Sequence, residues 1–205
     1  MIGFDLFSIG HSNLVAERFT AMLRAAGADT VADVRSVPAS RFCPWFSARN
    51  LATLLANESM AYLGFGGALG GRPRDPSLYC DGIVDYEAMA RTAGFKAGLD
   101  RLIAEAGRHR LCLMCSERDP LDCHRCLLVA RALAARGLTI GHILHGGVIE
   151  PHTATEQRLL RLESTEGDLF AAGQNERIAA AYRRRARAVA FRNKGGRHPP
   201  TKGLG

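Results

Sequence analysis

The 205-residue chain contains no apolar run near the roughly 18 residues that a transmembrane helix needs. Its first segment, MIGFDLFSIGHSN, has no basic leader and no small-residue cleavage site, which argues against a secretion signal. A membrane role and an oxidising compartment are therefore not expected, and the expected location is the cytoplasm. Without secretion, six cysteines read as free thiols or metal ligands rather than disulfides. No internal repeat is visible. Acid is almost missing from the last thirty residues. Residues 176–205 hold nine Lys/Arg and one acid, Glu176, a charge of +8 against +7 for the whole chain. The remainder thus sums to −1, and the high pI belongs to the C-terminal segment.

With 47% hydrophobic residues, the chain can bury an ordinary globular core. Strand and helix signals alternate along it. Strands are expected at 5–9, 30–34, 111–115 and 139–144, with a short one at 61–63. Helices are expected after Asn13 up to Gly27, from Ser47 to about Glu58, over 86–106, over 121–136 and over about 154–162. This alternation predicts an α/β fold: a mostly parallel sheet with helices on both faces, plus a basic C-terminal helix and tail. The domain division is an α/β body at 1–165 and a basic helix with a disordered end at 166–205.

The densest chemistry lies in Leu111–Cys126, LCLMCSERDPLDCHRC. Sixteen residues hold four cysteines, a histidine, two arginines and three acids. The stretch runs from an apolar strand into a helix, so its polar part falls on a strand-to-helix turn. Ligands meet α/β sheets at such turns. Other polar residues recur just after strands: His11, Asp33 with Arg35, and His142 with His145. In a parallel sheet these positions share one edge and converge on one crevice.

Within that crevice Cys115 and Cys123 are candidate nucleophiles, because a helix N-terminus or a nearby Arg or His lowers a thiol's pKa. Cys112 and Cys126 read as packing residues. Glu117 and Asp33 are candidate acid–base or orienting carboxylates, and His11 and His124 candidate proton carriers. Arg35, Arg41, Arg72 and Arg125 are candidates for holding an anionic group. Gly70 and Gly71 belong to a glycine-rich loop, GFGGALGGRPRDP, too glycine-rich for regular structure. The loop lacks the Gly-Lys-Ser/Thr of a phosphate-binding loop. Its backbone amides are nonetheless candidates for phosphate binding. The spacing Cys-x2-Cys-x7-Cys-x2-Cys suggests zinc, but Cys112 and Cys115 on one strand point to opposite faces, which opposes a closed four-cysteine site.

Taken together, Ile9-Gly10-His11-Ser12-Asn13, Asp33-Val34-Arg35-Ser36-Val37-Pro38, Ser40-Arg41, Phe46, Leu69-Gly70-Gly71-Arg72, Thr92 with Phe95, Leu113-Met114-Cys115-Ser116-Glu117, Cys123-His124-Arg125, and His142-Ile143 with Gly147 and His152 resemble the domain-of-unknown-function-488 family over about residues 5–160. The resemblance implies an α/β fold with a polar site built from these words, and no established reaction. The order of Asp33-Val34-Arg35, Cys115 and His145-Gly146-Gly147 is more loosely similar to rhodanese-type sulfurtransferases. The long loop on to a second Cys-His-Arg departs from that pattern.

Three readings follow. The first is an enzyme, a thiol-dependent transferase or hydrolase acting on an anionic small molecule. In it Cys115, Glu117, Cys123, His124, His11 and Asp33 are catalytic, and Arg35, Arg41, Gly70, Gly71, Arg72 and Arg125 bind substrate. The second is a nucleic-acid-binding or processing protein using Arg183, Arg184, Arg185, Arg187, Arg192 and Lys194, since a basic run neutralises phosphates. The third is a metal-dependent enzyme in which Cys115, Cys123 and several of His11, His124, His142 and His152 hold Zn or Fe.

Overall fold

The computed structural model describes residues 3–163 and 173–193. The sheet has five parallel strands: β1 (Leu6–Gly10), β2 (Thr30–Asp33), β3 (Ala61–Gly64), β6 (Leu111–Cys115) and β7 (Ile140–Ile143). A sixth, β8 (Ile149–Pro151), runs antiparallel to β7, and the order across the sheet is β3-β2-β6-β1-β7-β8. A separate hairpin joins β4 (Tyr79–Cys80) to β5 (Ile83–Val84). Every residue of the central strands β1 and β6 is buried. Their sequences, LFSIG and LCLMC, are near-continuous apolar runs, as a parallel strand covered on both faces requires.

Side chains alternate across the sheet and feed two cores. On one face Phe7, Ile9, Val31, Cys112 and Met114 meet Phe19 and Leu23 of helix α1 (Ala16–Ala25) and Leu51 and Leu55 of α2 (Ala48–Asn57). On the other, Leu113 and Cys115 meet Phe95 and Leu99 of α5 (Ala93–Ala106) and the helix that follows β6. Cys112 and Cys115 thus face opposite cores, as their spacing implied. The expected α/β class, with helices on both faces, is the observed one.

Several local expectations change. The single helix expected over 86–106 is two, α4 (Tyr86–Arg91) and α5. Thr92 is extended between them and its hydroxyl accepts from Phe95 N at 3.2 Å, capping α5. The glycine-rich loop includes one short helical turn, α3 (Gly66–Leu69). The helix expected over 121–136 is broken. Asp119 caps a 3-10 turn at Pro120–Asp122, Cys123 is extended, Arg125–Ala130 form a π-helical stretch, and only Arg131–Ala134 (α6) is α-helical. Proline suits the first position of a turn, so Asp119-Pro120 starts the 3-10 turn before the helix begins.

Helix α7 (His152–Glu163) packs against α8 (Gln174–Val189). The C-terminal basic helix is held to the body: Ala181 and Tyr182 are buried in the same core as Leu159. The expected disordered end, 195–205, lies outside the described residues. Among the described residues, no helix is long and apolar enough to cross a membrane.

The fold fixes where a site can form. Adjacent strands β1 and β6 send their following helices to opposite faces of the sheet. A crevice therefore opens beyond their C-terminal ends. Gly10 pairs with Cys115 in register there. A Cβ on Gly10 would lie 1.8 Å from the Glu117 carbonyl oxygen, so only glycine lets the loop after β6 cross the end of β1.

Candidate functional site

Four ligand-type groups meet where the β6 loop folds back on the sheet. Cys115 ends β6, Glu117 lies two residues on, and Cys123 and His124 stand between the 3-10 turn and the π-helical stretch. One donor atom of each lies within 4.8 Å of the others. Both sulfurs lie 3.0 Å from the same carboxylate oxygen, Oε2 of Glu117. His124 Nδ1 is 3.7 Å from Cys115 Sγ and 3.8 Å from Cys123 Sγ.

The orientation of His124 is set from outside the cluster. Its Nε2 donates to the Val34 carbonyl at 2.9 Å, which aims Nδ1 at the two sulfurs. Its ring also abuts the glycine-rich loop. A Cβ on Gly71 would come within 2.7 Å of the imidazole, so Gly71 sits close against it. Gly70 is equally tight against the Ser36 hydroxyl, which accepts from Arg72 N at 2.9 Å.

A buried guanidinium lies behind the cluster. Arg125 is 1% exposed. It donates to the Glu117 carbonyl at 2.6 Å and the Arg118 carbonyl at 3.2 Å, while its Nε has no partner. A buried cation requires an anion nearby. The group that serves is Cys123. Burial opposes its ionisation, but the bond from Cys115 and the charges of Arg125 and His124 outweigh that and bring the thiol well below its usual range. Cys115 moves the other way, raised by burial and then by Cys123 and Glu117. Burial also raises the Glu117 carboxyl.

These groups open onto a cavity of about 410 Å³. Cys115, Glu117 and His124 line it on one side, and Arg35, Ser36 and Arg72 on the other. Arg35 is held by a buried ion pair. Its Nε and Nη2 reach the Asp33 carboxylate at 2.9 and 2.6 Å, and Nη2 also donates to the Phe46 carbonyl at 2.7 Å. Tyr62 donates to the same carboxylate at 2.9 Å. His11 Nε2 accepts from Arg35 Nη1 at 3.3 Å, its Nδ1 donates to Ser12 O, and its ring stacks on Phe46 with centroids 4.2 Å apart. Burial and Arg35 push His11 down to about 4.

Of the residues expected at the site, Cys115, Glu117, Cys123 and His124 come together, and Arg35, Gly71 and Arg72 share the cavity with three of them. His11 and Asp33 do not line the cavity; they orient Arg35. Arg125 braces the loop from behind. Arg41 is exposed, its guanidinium over Phe42 at 5.3 Å. His142 and His152 pair with each other in a second cluster, and His145 lies outside both clusters. Sequence reasoning missed Ser36, Tyr86 and Phe191 as lining residues. Ser36 was visible inside Asp33–Pro38, but nothing in sequence marked Phe191, which is brought in by α8 and stacks under Arg72 at 4.8 Å.

The arginines of the C-terminal helix lie against acids of the body. Arg183 pairs with Glu87 at 3.4 Å, Arg187 with Asp81 at 2.6 Å, and Arg185 with Asp122 and Glu163. Arg184 donates to the Glu163 carbonyl at 2.7 Å, and Arg192 to the Arg187 carbonyl at 3.3 Å. Lys194 lies outside the described residues.

The family model for the domain of unknown function DUF488 matches residues 15–132. The chain belongs to that family. No curated protein and no solved structure matches it. The match contains the Asp33–Pro38 segment, the glycine-rich loop and the whole Cys115–Arg125 cluster. It ends short of the 5–160 span expected from the motifs, leaving His11, His142 and His152 outside. The likeness to rhodanese-type sulfurtransferases rests on motif order alone.

Proposed function

We propose that Cys115, Cys123 and His124 bind a divalent metal of the zinc class, and that this centre hydrolyses an anionic substrate held by Arg35 and Arg72. The observation that carries the reading is the convergence of two sulfurs and an anchored imidazole nitrogen on one point. In a tetrahedral zinc site, bonds of about 2.0–2.3 Å put neighbouring donor atoms roughly 3.3–3.8 Å apart. The two S···N separations here are 3.7 and 3.8 Å. A metal-binding histidine typically donates its other ring N–H to a carbonyl or carboxylate, as His124 does to Val34.

Charge supports the same reading. A divalent ion with two thiolates is neutral, and Glu117 with Arg125 is neutral too. With both sulfurs drawn onto the ion as thiolates, Glu117 Oε2 would lose the contacts to Cys115 and Cys123 that occupy it in the metal-free chain. A metal held by Cys115, Cys123 and His124 would supply an activated water, and Glu117, its oxygen freed from the sulfurs, would serve as the base that takes that water's proton and returns it to the departing group. Thiol nucleophilic catalysis fits less well. The thiol that lines the cavity, Cys115, is the one held protonated, and the acidic one, Cys123, is 2% exposed and off the cavity wall.

The test is metal content combined with a hydrolysis screen over phosphate and carboxylate esters. Cys123→Ser is expected to lose one metal equivalent, and Glu117→Gln to keep it while losing turnover by about 100-fold or more. Unchanged metal content in Cys123→Ser, together with rapid alkylation of Cys115 in the protein as purified, would restore the thiol mechanism.

A further inference from the structure

A second cluster lies deeper in the fold, outside the cavity just described. Cys126 on the π-helical stretch, His142 on β7 and His152 at the start of α7 bring one donor atom each within 4.8 Å of the others. All three are buried, at 0, 0 and 5% exposure. His142 Nε2 is 2.9 Å from His152 Nδ1 and 3.9 Å from Cys126 Sγ. We infer that these three residues form a second binding site for a zinc-class cation, independent of the Cys115 centre.

The outer nitrogens of both imidazoles are already held. His142 Nδ1 lies 2.7 Å from the Ser8 hydroxyl, and His152 Nε2 lies 3.2 Å from the Tyr182 hydroxyl. Tyr182 donates to Glu156 at 3.0 Å. Its oxygen must then accept from His152 Nε2, which makes His152 Nδ1 an acceptor. His142 Nε2 therefore carries the proton between the rings, and Ser8 donates to His142 Nδ1. In the metal-free chain this proton bridges the two inner nitrogens at 2.9 Å, and the rings must part by a few tenths of an ångström to reach the roughly 3.3 Å of two nitrogens on one zinc.

Metal entry replaces that proton with a cation. The His142 proton moves from Nε2 to Nδ1, and the Ser8 hydroxyl turns from donor to acceptor. The Cys126 thiol releases its proton to solvent and becomes the sulfur ligand. One proton leaves per cation bound. Both histidines then present an inner lone pair to the metal and an outer N–H to oxygen, the arrangement that orients imidazole ligands. Glu156, at the far end of His152, offsets the gained charge.

Two further features fit. A π-helical turn is uncommon and recurs at functional sites. Here it begins directly after His124 of one cluster and itself carries Cys126 of the other. A separate cavity of about 670 Å³, lined by His152, Glu156 and Tyr182 among others, reaches the outer histidine of the pair, His152; His142 and Cys126 lie behind it. Three ligands from three elements would clasp β7, α7 and the helix after β6, and through Tyr182 also α8. A donor set of one thiolate and two imidazoles favours zinc or copper over magnesium or calcium.

The experiment strips the full chain with a chelator, reloads it with Zn2+ alone, and counts bound equivalents. Two are expected in the wild type, one in Cys126→Ser and one in Cys115→Ser/Cys123→Ser. One equivalent in both the wild type and Cys126→Ser overturns the second site and leaves the first standing. Two in the wild type and none lost in Cys126→Ser also overturns it. Should Cys126→Ser fail to fold, the wild type decides by nitrogen-15 NMR of its imidazoles. His142 is expected to carry its proton on Nε2 without metal and on Nδ1 with saturating Zn2+. An unchanged His142 tautomer sinks the inference.

Discussion

Asp33→Asn isolates the part of the site that the structure makes most costly to disturb. Asp33 is 1% exposed and Arg35 4%. The carboxylate receives Arg35 Nε and Nη2, the Arg35 backbone N–H at 3.0 Å, and Tyr62. Breaking a buried pair by neutralising one partner leaves an uncompensated charge and costs about 3–5 kcal/mol. Asparagine keeps an acceptor, so the lower end applies, about 3 kcal/mol. For a chain of this size that is a fall of roughly 6–12 °C in Tm. Urea unfolding followed by circular dichroism measures it. The double variant Asp33→Asn/Arg35→Met should recover part of the loss, because the stranded guanidinium is gone. Zinc content should stay at the wild-type value, since Asp33 touches none of the proposed metal ligands. Substrate affinity should fall, since Arg35 loses the partner that aims it. A cost under about 1 kcal/mol, or no recovery in the double variant, would refute the claim that this pair is a tightly coupled positioning unit.

Other expectations follow from neighbouring contacts. His11 is held near 4 against an ordinary 6.5, so the unfolded chain takes up its proton first as pH falls. Its contribution to stability is present above pH 6.5 and is lost between about 6.5 and 4, up to about 3 kcal/mol. His11→Asn should flatten that part of the stability–pH curve; His152, also lowered to about 4, should supply some residual slope. An equally steep acid limb in the variant would rule the assignment out. Gly10→Ala forces the Glu117 backbone away from β1 and should cost about 1–3 kcal/mol with weakened zinc binding, checked by calorimetry. Tyr62→Phe removes one hydrogen bond to Asp33 and should cost about 1 kcal/mol, with zinc content unchanged.

The fold class was legible because strand and helix signals alternate along the chain, and because parallel strands covered on both faces read as near-continuous apolar runs, as LFSIG and LCLMC do. The site's edge was legible for a related reason. Polar residues immediately after such strands fall at their C-terminal ends, and parallel pairing brings those ends together. Cys115, Glu117, Cys123, His124 and Arg125, with His11, Asp33 and Arg35 opposite, were therefore expected in one crevice; that the first four of these form one tight cluster came only from the structure. Local breaks were less visible. Thr92 interrupts 86–106 by capping the next helix, and Asp119-Pro120 begins a 3-10 turn where apolar periodicity indicates a helix. Both are backbone choices made by one or two residues inside longer apolar patterns.

What sequence determined by itself is the layered α/β architecture and the set of residues capable of chemistry. Only the tertiary structure decided how that set divides. Cys115, Cys123 and His124 converge, while His142 and His152 pair with Cys126 elsewhere. His11 and Asp33 serve Arg35 rather than the cavity. The physical reason is that side-chain direction depends on strand register, on the π-helical turn after Cys123, and on hydrogen bonds to distant groups such as the Val34 carbonyl and the Tyr182 hydroxyl. None of these long-range constraints is written in local spacing.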